Sequence, residues 1–249
     1  MQGRVAIVTG AGRGLGRVFA KRFAKEGSTA IIAEIDRDRA ESVADEIIGS
    51  GGHAIPVETD ISDEDSVGAM VERIISELGR IDILINNAAL LGSLKRGPFE
   101  EIPPEEFEDA LKVNVMGAFL VARSVVPVMR KAGWGRIINM SSDTAVNGVP
   151  GFLHYVTSKA ALVGFTRALA RELGNDGITV NAIQPGLTET EVDRGPERKA
   201  LAIDIIAKQC IQRQEVPEDL VGTVMFLASE ASAFVTGQTI LVNGGLTFR

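Results

Sequence analysis

The sequence predicts an α/β fold, a single doubly wound parallel sheet of about seven strands with helices on both faces. Short apolar, β-branched runs recur along the whole chain. Between them lie longer stretches with 3.6-residue periodicity, and this alternation marks βαβ units around a sheet buried on both faces. No repeat, low-complexity tract or Pro/Gly/Ser-rich linker interrupts the rhythm, so residues 1–249 read as one domain.

Strands are expected at Val5 to Thr9, Thr29 to Glu34, His53 to Glu58, Ile81 to Asn86, Gly135 to Met140, Thr179 to Ile183 and Thr239 to Val242. Helical spacing covers Gly16 to Lys25, Arg37 to Gly49, Asp63 to Leu78, Pro104 to Arg130, Tyr155 to Leu173 and Glu218 to Ala228. Asp63 is placed to cap its helix at the N-terminus and Gly79 to stop it. The stretch Pro185 to Arg213 breaks the pattern just after the sixth strand. Open α/β sheets place their ligands beyond the C-terminal ends of strands, so a substrate-covering segment is expected at about 187–213.

Composition narrows the function classes. Apolar residues make up 45% of the chain and charged residues 24%, the balance of a folded globular enzyme. Twenty-six Lys and Arg against 33 Asp and Glu give a net charge of -7 without segregation of the basic residues, which argues against a nucleic-acid partner. Cys210 is the only cysteine, excluding an internal disulfide and a cysteine zinc site and pointing to a reducing cytoplasm. His53 and His154 are the only histidines, too few for a His-rich metal cluster, and no metal is expected. The N-terminus runs directly into Val5 with no room for a signal peptide. Apolar runs such as Ile81 to Ile85, interrupted by Asp82, fall short of a membrane span of roughly 18 residues.

Thr9-Gly10-Ala11-Gly12-Arg13-Gly14-Leu15-Gly16 follows the first strand and opens a helix. Glycines there let the backbone and the helix N-terminus approach a pyrophosphate. The spacing is G-x-x-x-G-x-G rather than the general G-x-G-x-x-G. An acidic residue ending the second strand is the expected partner of an adenosine ribose. Glu34 lies closer to the strand end than the competing Asp36. Its carboxylate would repel the 2'-phosphate of NADP by roughly 1 to 4 kcal/mol at about 4 Å. Arg13 could meet that phosphate, but an exposed ion pair contributes only about 0 to 1 kcal/mol, so NAD is expected over NADP.

Tyr155, the only tyrosine, precedes Lys159 by four residues on one helix face. For acid/base work near neutral pH a tyrosine must fall from about 10 by roughly three, about 4 kcal/mol, and one cation at about 4 Å supplies about that much. The pair alone is a common accident of amphipathic helices. Ser141 and Ser142, at the end of the fifth strand, add hydroxyls that could meet a substrate oxygen.

Together these residues resemble the short-chain dehydrogenase/reductase family over nearly the whole chain. Thr9 to Gly16 matches its glycine motif, Asn86-Asn87-Ala88 its Asn-Asn-Ala motif, and Asn114, Ser142, Tyr155 and Lys159 its catalytic tetrad. The resemblance implies a Rossmann-type fold and hydride exchange between NAD and an alcohol or carbonyl carbon. It implies that Tyr155 moves the proton and Ser142 positions the oxygen. Lys159 would lower the tyrosine pKa and bind the nicotinamide ribose, and Asn114 would hold a water leading to solvent. Gly10, Arg13, Gly14, Leu15 and Gly16 of the glycine motif are its cofactor-binding candidates. Asp60 and Ile61 would flank the adenine, and Asn87 with Ala88 would lie at the adenosine ribose. Pro185, Gly186, Thr188 and Thr190 would hold the carboxamide. Ala89 departs from the family's Asn-Asn-Ala-Gly, and Asn243 from its Asp-Gly-Gly.

Leu91, Val146, Val149, Phe152, Leu187 and residues from Ala200 to Ile206 suggest a hydrophobic or aromatic secondary alcohol or ketone, while Asp143 could instead face a polar substrate. A 3-oxoacyl thioester (acyl-carrier-protein) reductase is the alternative enzyme, and an NAD-sensing binding protein the non-enzyme alternative. His154, one residue from Tyr155, is expected on another side of the helix as a surface or pocket residue. The resemblance also implies a homotetramer pairing the helices at 104–130 and 155–173.

Overall fold

The computed structural model describes residues 1–192 and 196–248, with side chains described for all of these except 196–200. Seven parallel strands, β1 (Val5–Thr9), β2 (Thr29–Glu34), β3 (His53–Glu58), β4 (Ile83–Asn86), β5 (Gly135–Met140), β6 (Ile178–Pro185) and β7 (Thr239–Val242), form one sheet in the order β3-β2-β1-β4-β5-β6-β7. Chain direction across the sheet reverses between β1 and β4. The crevice outside their C-terminal ends is therefore the switch point at which such sheets bind ligands.

Helices cover both faces because each carries one apolar stripe. On one side lie α1 (Gly14–Lys25), α2 (Arg37–Gly49) and α9 (Pro217–Leu227), packed through Phe19, Phe23, Val43, Ile47, Leu220 and Val224. On the other lie α3 (Glu64–Leu78), α5 (Gly117–Ala132) and α7 (Leu153–Leu173), packed through Met70, Ile74, Val121, Val125 and Leu173. The expected stops are in place: Asp63 accepts a hydrogen bond from the Asp65 amide, and Gly79 ends α3 at φ 69°.

Two stretches differ from the sequence pattern. The predicted helix at Pro104 to Arg130 is α4 (Pro104–Leu111) and α5 joined by a π-turn at Lys112–Met116 that contains Asn114. The whole Pro104–Ala132 stretch is long and apolar enough, by length and composition, to cross a membrane, contrary to the expectation from its runs. It lies here as a core helix, with Leu120, Val121, Val125 and Met129 buried. The irregular segment after β6 holds a helix, α8 (Pro196–Lys208), whose Pro at the first position suits a helix start. Residues 193–195 and the Ala200 side chain lie outside the described residues. A short helix, α6 (Thr144–Asn147), follows β5.

Candidate active site

At the end of β1 the chain turns through Gly10 at φ 63° and enters α1 through Gly14 at φ 59°, backbone values that L side chains avoid. Close packing fixes the other glycines. A Cβ on Gly10 would stand 2.8 Å from Ala88 Cα, and one on Gly16 would meet the Gly10 carbonyl oxygen and stand 2.6 Å from Asn87 Nδ2. Thr9 Oγ1 accepts from the amides of Asn87 and Ala88, both at 3.0 Å, while Asn87 Nδ2 donates to Thr9 O and Gly10 O at 2.9 and 3.2 Å. Asn86 donates to Asn139 Oδ1 at 2.8 Å, tying β4 to β5. The Asn-Asn-Ala run thus braces the glycine turn from the neighbouring strand.

This turn accepts an anion from its own chain. The Gly14 amide, first in α1, donates to Glu191 Oε1 at 2.9 Å, and Arg17 Nη1 lies 3.5 Å from the same oxygen. A carboxylate held at a helix N-terminus, beside glycines that leave no room for side chains, is what a site for a dinucleotide pyrophosphate requires. Arg13 is exposed and Leu15 half-buried at its rim.

Between Glu34 and Asp36, hydrogen bonding distinguishes the roles. Asp36 caps α2, accepting from the Arg39 amide at 3.1 Å and pairing with the Arg39 guanidinium at 3.0 Å. Glu34 is buried at the end of β2, and its Oε2 accepts from the Gly12 amide at 3.0 Å. A Cβ on Gly12 would stand 2.8 Å from both Glu34 Cγ and Arg39 Cβ, so Gly12 joins the site although its spacing gave it no special place. Asp60, which accepts from Ser62, and buried Ile61 follow β3 at the same edge of the sheet.

The second cluster lies beyond β5. The two serines separate: Ser141 Oγ donates to Lys159 O at 2.7 Å and ties α7 to the strand, while Ser142 Oγ accepts from the Thr144 amide at 3.2 Å. Lys159 is buried, donates to Met140 O at 2.8 Å, and lies 5.7 Å from the centre of the Tyr155 ring. Burial pushes its ammonium down to about 8. Tyr155, 8% exposed, belongs to an apolar cluster with Leu94, Ala110 and Phe152. Phe152 stacks on its ring at 4.8 Å.

Asn114 reaches this cluster through a relay. Its Nδ2 donates to Ser158 Oγ at 2.9 Å, and Ser158 donates to Tyr155 O at 2.8 Å. It also donates to Leu90 O at 3.2 Å and accepts from Leu90 N at 2.7 Å. Both amide hydrogens are engaged, in the π-turn that carries Asn114.

The expectation for His154 is overturned. It is fully buried, its Nδ1 accepting from the Tyr155 amide at 3.0 Å, which leaves the proton on Nε2 for Glu106 at 3.1 Å. His154 therefore anchors the first turn of α7.

Beyond β6, Pro185 O accepts from the Asp143 amide at 3.0 Å and the Gly186 amide donates to Val242 O at 3.0 Å. Glu215, absent from the sequence reading, is buried beneath this loop. Its Oε1 accepts from Thr188 Oγ1 at 2.7 Å and its Oε2 from the Gly186 amide at 3.2 Å. Thr190 and Val192 pack at 4.0 Å from the position of a Gly14 Cβ. Burial raises both acids here, Asp143 to about 6 and Glu215 to about 7, the latter aided by the negative charge of Asp143.

The glycine turn that follows β1 and the buried Ser142, Tyr155 and Lys159 beside the end of β5 thus lie on either side of β4, at the sheet's switch point. The sequence profile of the family described as Enoyl-(Acyl carrier protein) reductase matches residues 10–247. The chain belongs to the short-chain dehydrogenase/reductase family. Like its relatives in the family, it is an oxidoreductase acting on hydroxyl or ketone groups and using a nicotinamide cofactor. A 3-oxoacyl-[acyl-carrier-protein] reductase FabG of Aquifex aeolicus is 39% identical, over 99% of this chain and 98% of the relative. The structure of an NAD+-bound xylitol dehydrogenase superposes with a TM-score of 0.91 at 30% identity, covering 98% of this chain and 99% of that one. A structure assigned as an NAD(P)-dependent gluconate 5-dehydrogenase from Beutenbergia cavernae, with NADP bound at low occupancy, gives 0.91 at 36% identity over 99% and 97%. Membership of this short-chain dehydrogenase/reductase family sets aside the non-enzyme alternative.

Proposed function

We propose that this chain interconverts a hydrophobic or aromatic secondary alcohol and its ketone with NAD(H), acting as a single unit over residues 1–249. The observation that carries the reading is buried Lys159 5.7 Å from the centre of the Tyr155 ring, beside the end of β5 where Ser142 is also buried, with the Tyr155 ring packed among Leu94, Ala110 and Phe152. When bound, the dinucleotide supplies or accepts the hydride.

The chain's own residues do the rest. The Gly14 amide and the α1 N-terminus bind the pyrophosphate, together with Gly10, Arg13, Leu15 and Gly16. Glu34 binds the adenosine ribose and disfavours a 2'-phosphate, with Asn87 and Ala88 beside it and Asp60 and Ile61 at the adenine. Pro185, Gly186, Thr188 and Thr190 form the carboxamide loop. Ser142 orients the substrate oxygen, Tyr155 Oη gives it a proton in reduction or takes one in oxidation, and the Lys159 ammonium favours the tyrosinate. Asn114 braces the helix turn beneath Tyr155. The 187–213 segment covers the substrate.

A 3-oxoacyl thioester reductase is the second reading, favoured by the FabG relative and by Arg96. The Arg96 guanidinium lies 4.6 Å over the Phe152 ring that stacks on Tyr155, so a cation stands at the rim of the apolar cluster. A carrier thioester, which brings phosphate, suits such a rim.

Following reduced-nicotinamide absorbance with NAD and NADP against secondary alcohols, ketones and acetoacetyl thioesters tests both readings. Turnover of aryl or alkyl alcohols with NAD is expected. Turnover confined to the thioester would replace the first reading with the second.

We also propose a homotetramer pairing α4–α5 and α7, whose outer faces expose Met116, Phe119 and Leu153. A reducing, cytoplasmic setting fits the exposed free thiol of Cys210.

A further inference from the structure

The loop after β4, residues 87–98, lies against Tyr155. Its Leu94 is buried in the apolar cluster that holds the Tyr155 ring, and the Arg96 guanidinium sits 4.6 Å over the Phe152 ring stacked on that tyrosine. Three ties hold the loop. Near its start the Leu90 amide donates to Asn114 Oδ1 at 2.7 Å, and near its end the Gly97 amide donates to Gly151 O at 3.1 Å. Between them the Lys95 amide donates to Glu106 Oε1, from α4, at 2.6 Å. Lys95 stands between the two residues that reach the cluster, so this middle tie sets how both are presented.

The same carboxylate oxygen takes a second donor. His154 Nδ1 accepts from the Tyr155 amide at 3.0 Å, so the imidazole proton sits on Nε2, 3.1 Å from Glu106 Oε1. Helix α7 begins at Leu153, and the Tyr155 amide is one of the first-turn donors that find no acceptor within a helix. The imidazole supplies that acceptor and packs edge-on against Phe152 at 5.4 Å. A fully buried N–H needs an acceptor of its own, which Glu106 provides. The Lys95 amide above all, and then the imidazole, hold the Glu106 carboxyl below its usual range, so it stays ionised and accepts from both. One oxygen thus joins the loop, through Lys95, to the backbone of Tyr155, through His154.

We propose that Glu106 and His154 are positioning residues that clasp the loop after β4 to the first turn of α7, and so fix how Leu94 and Arg96 stand over a substrate at Tyr155. This role rests on the reading that substrate reacts at Tyr155. The clasp acts on the loop, and leaves the glycine turn and the Lys159 ammonium alone. It therefore governs substrate binding rather than dinucleotide binding or proton transfer.

Glu106→Ala removes the shared oxygen at a partly exposed position. KM for the substrate turned over, alcohol or thioester, should rise about tenfold, with kcat and the Kd for NAD within about twofold. Glu106→Gln keeps an oxygen for both donors without the charge, and should bring KM back to within about threefold of wild type. His154→Phe keeps a ring against Phe152 and drops both nitrogens. Its KM should rise by a similar factor, and the double variant with Glu106→Ala should add nothing further. Hydrogen exchange at the Lys95 amide, which needs no substrate, should quicken about tenfold in Glu106→Ala, while exchange at the Gly97 amide stays near wild type. An unmoved KM, a glutamine variant as impaired as the alanine one, additive losses in the double variant, or unchanged exchange at Lys95 would each overturn the clasp. Should His154→Phe fail to fold, the Glu106 variants and the exchange decide. Turnover confined to thioesters would replace the alcohol reading and leave the clasp standing, because the same shift in KM is then read on the thioester.

Discussion

Glu191 Oε1 accepts a hydrogen bond from the Gly14 amide at 2.9 Å, across 177 residues of sequence. The carboxylate of the segment after β6 thus takes the N-terminal position of α1 that is proposed for the pyrophosphate, and the Gly14 amide with Arg17 at 3.5 Å holds it ionised. In the proposed binding mode the pyrophosphate displaces it. Glu191→Gln should therefore tighten dinucleotide binding about two- to fivefold, the size of one charge at a half-exposed helix end. Calorimetric titration of NAD checks this. Unchanged or weaker binding would show that the carboxylate does not compete.

Tyr155→Phe keeps the ring that stacks on Phe152 at 4.8 Å and so keeps the apolar cluster, removing only the hydroxyl. Turnover should fall by at least about a hundredfold to ten thousandfold, with the Kd for the dinucleotide within about twofold. Steady-state rates paired with titration separate the two. Retained turnover would remove Tyr155 as the proton carrier.

The elements with short-range patterns were legible in the sequence. Strand runs such as Val5–Thr9 bury every residue and so read as unbroken apolar stretches, and Asp63 and Gly79 mark their helix by capping chemistry that acts locally. Glu34 was separable from Asp36 by its place at the strand end. Contacts between distant segments left no such trace. Glu191 meets Gly14, and Glu215 meets Gly186 and Thr188, only once β6 and the segment after it fold back over the crevice. His154 was misplaced because helix periodicity says nothing of Glu106, whose carboxylate at 3.1 Å makes a buried imidazole tolerable. Helix α8 was missed although Pro196 could have announced it, since its apolar residues do not keep to one side: Ala202 is buried while Ile203 is 70% exposed.

Asp143 and Glu215 make the fold less stable as pH rises toward neutrality. Their pKa values are raised by burial, to about 6 and about 7, above those of the unfolded chain, so the folded state binds more protons between about pH 4 and 7. Stability from these groups is present in full below the unfolded values and lost as pH rises through the folded ones. The loss is on the order of 3 kcal/mol for each group. Urea denaturation midpoints should fall from pH 5 to pH 7.5. The double variant Asp143→Asn, Glu215→Gln should flatten that slope, and an equal slope in the variant would assign it to other groups.

Choice between NAD and NADP should turn on Glu34 and Arg39 together. The Glu34 carboxylate, held against the Gly12 amide at 3.0 Å, cannot swing far from the ribose position, so a 2'-phosphate meets a fixed negative charge. Repulsion of roughly 1 to 4 kcal/mol corresponds to about fivefold to several hundredfold in favour of NAD. Arg39 is the cation that could answer such a phosphate, but its guanidinium is paired with Asp36 at 3.0 Å. Glu34→Gln keeps an acceptor for Gly12 and removes the charge, so the ratio of Kd values for NADP and NAD should drop about tenfold or more. Adding Asp36→Asn releases Arg39 and should lower it further, by no more than about fivefold, because the pair is exposed. Fluorescence titration of NADH and NADPH gives both ratios. A ratio unmoved by Glu34→Gln would show that cofactor choice resides elsewhere in the glycine turn, with Arg13 the next residue to vary.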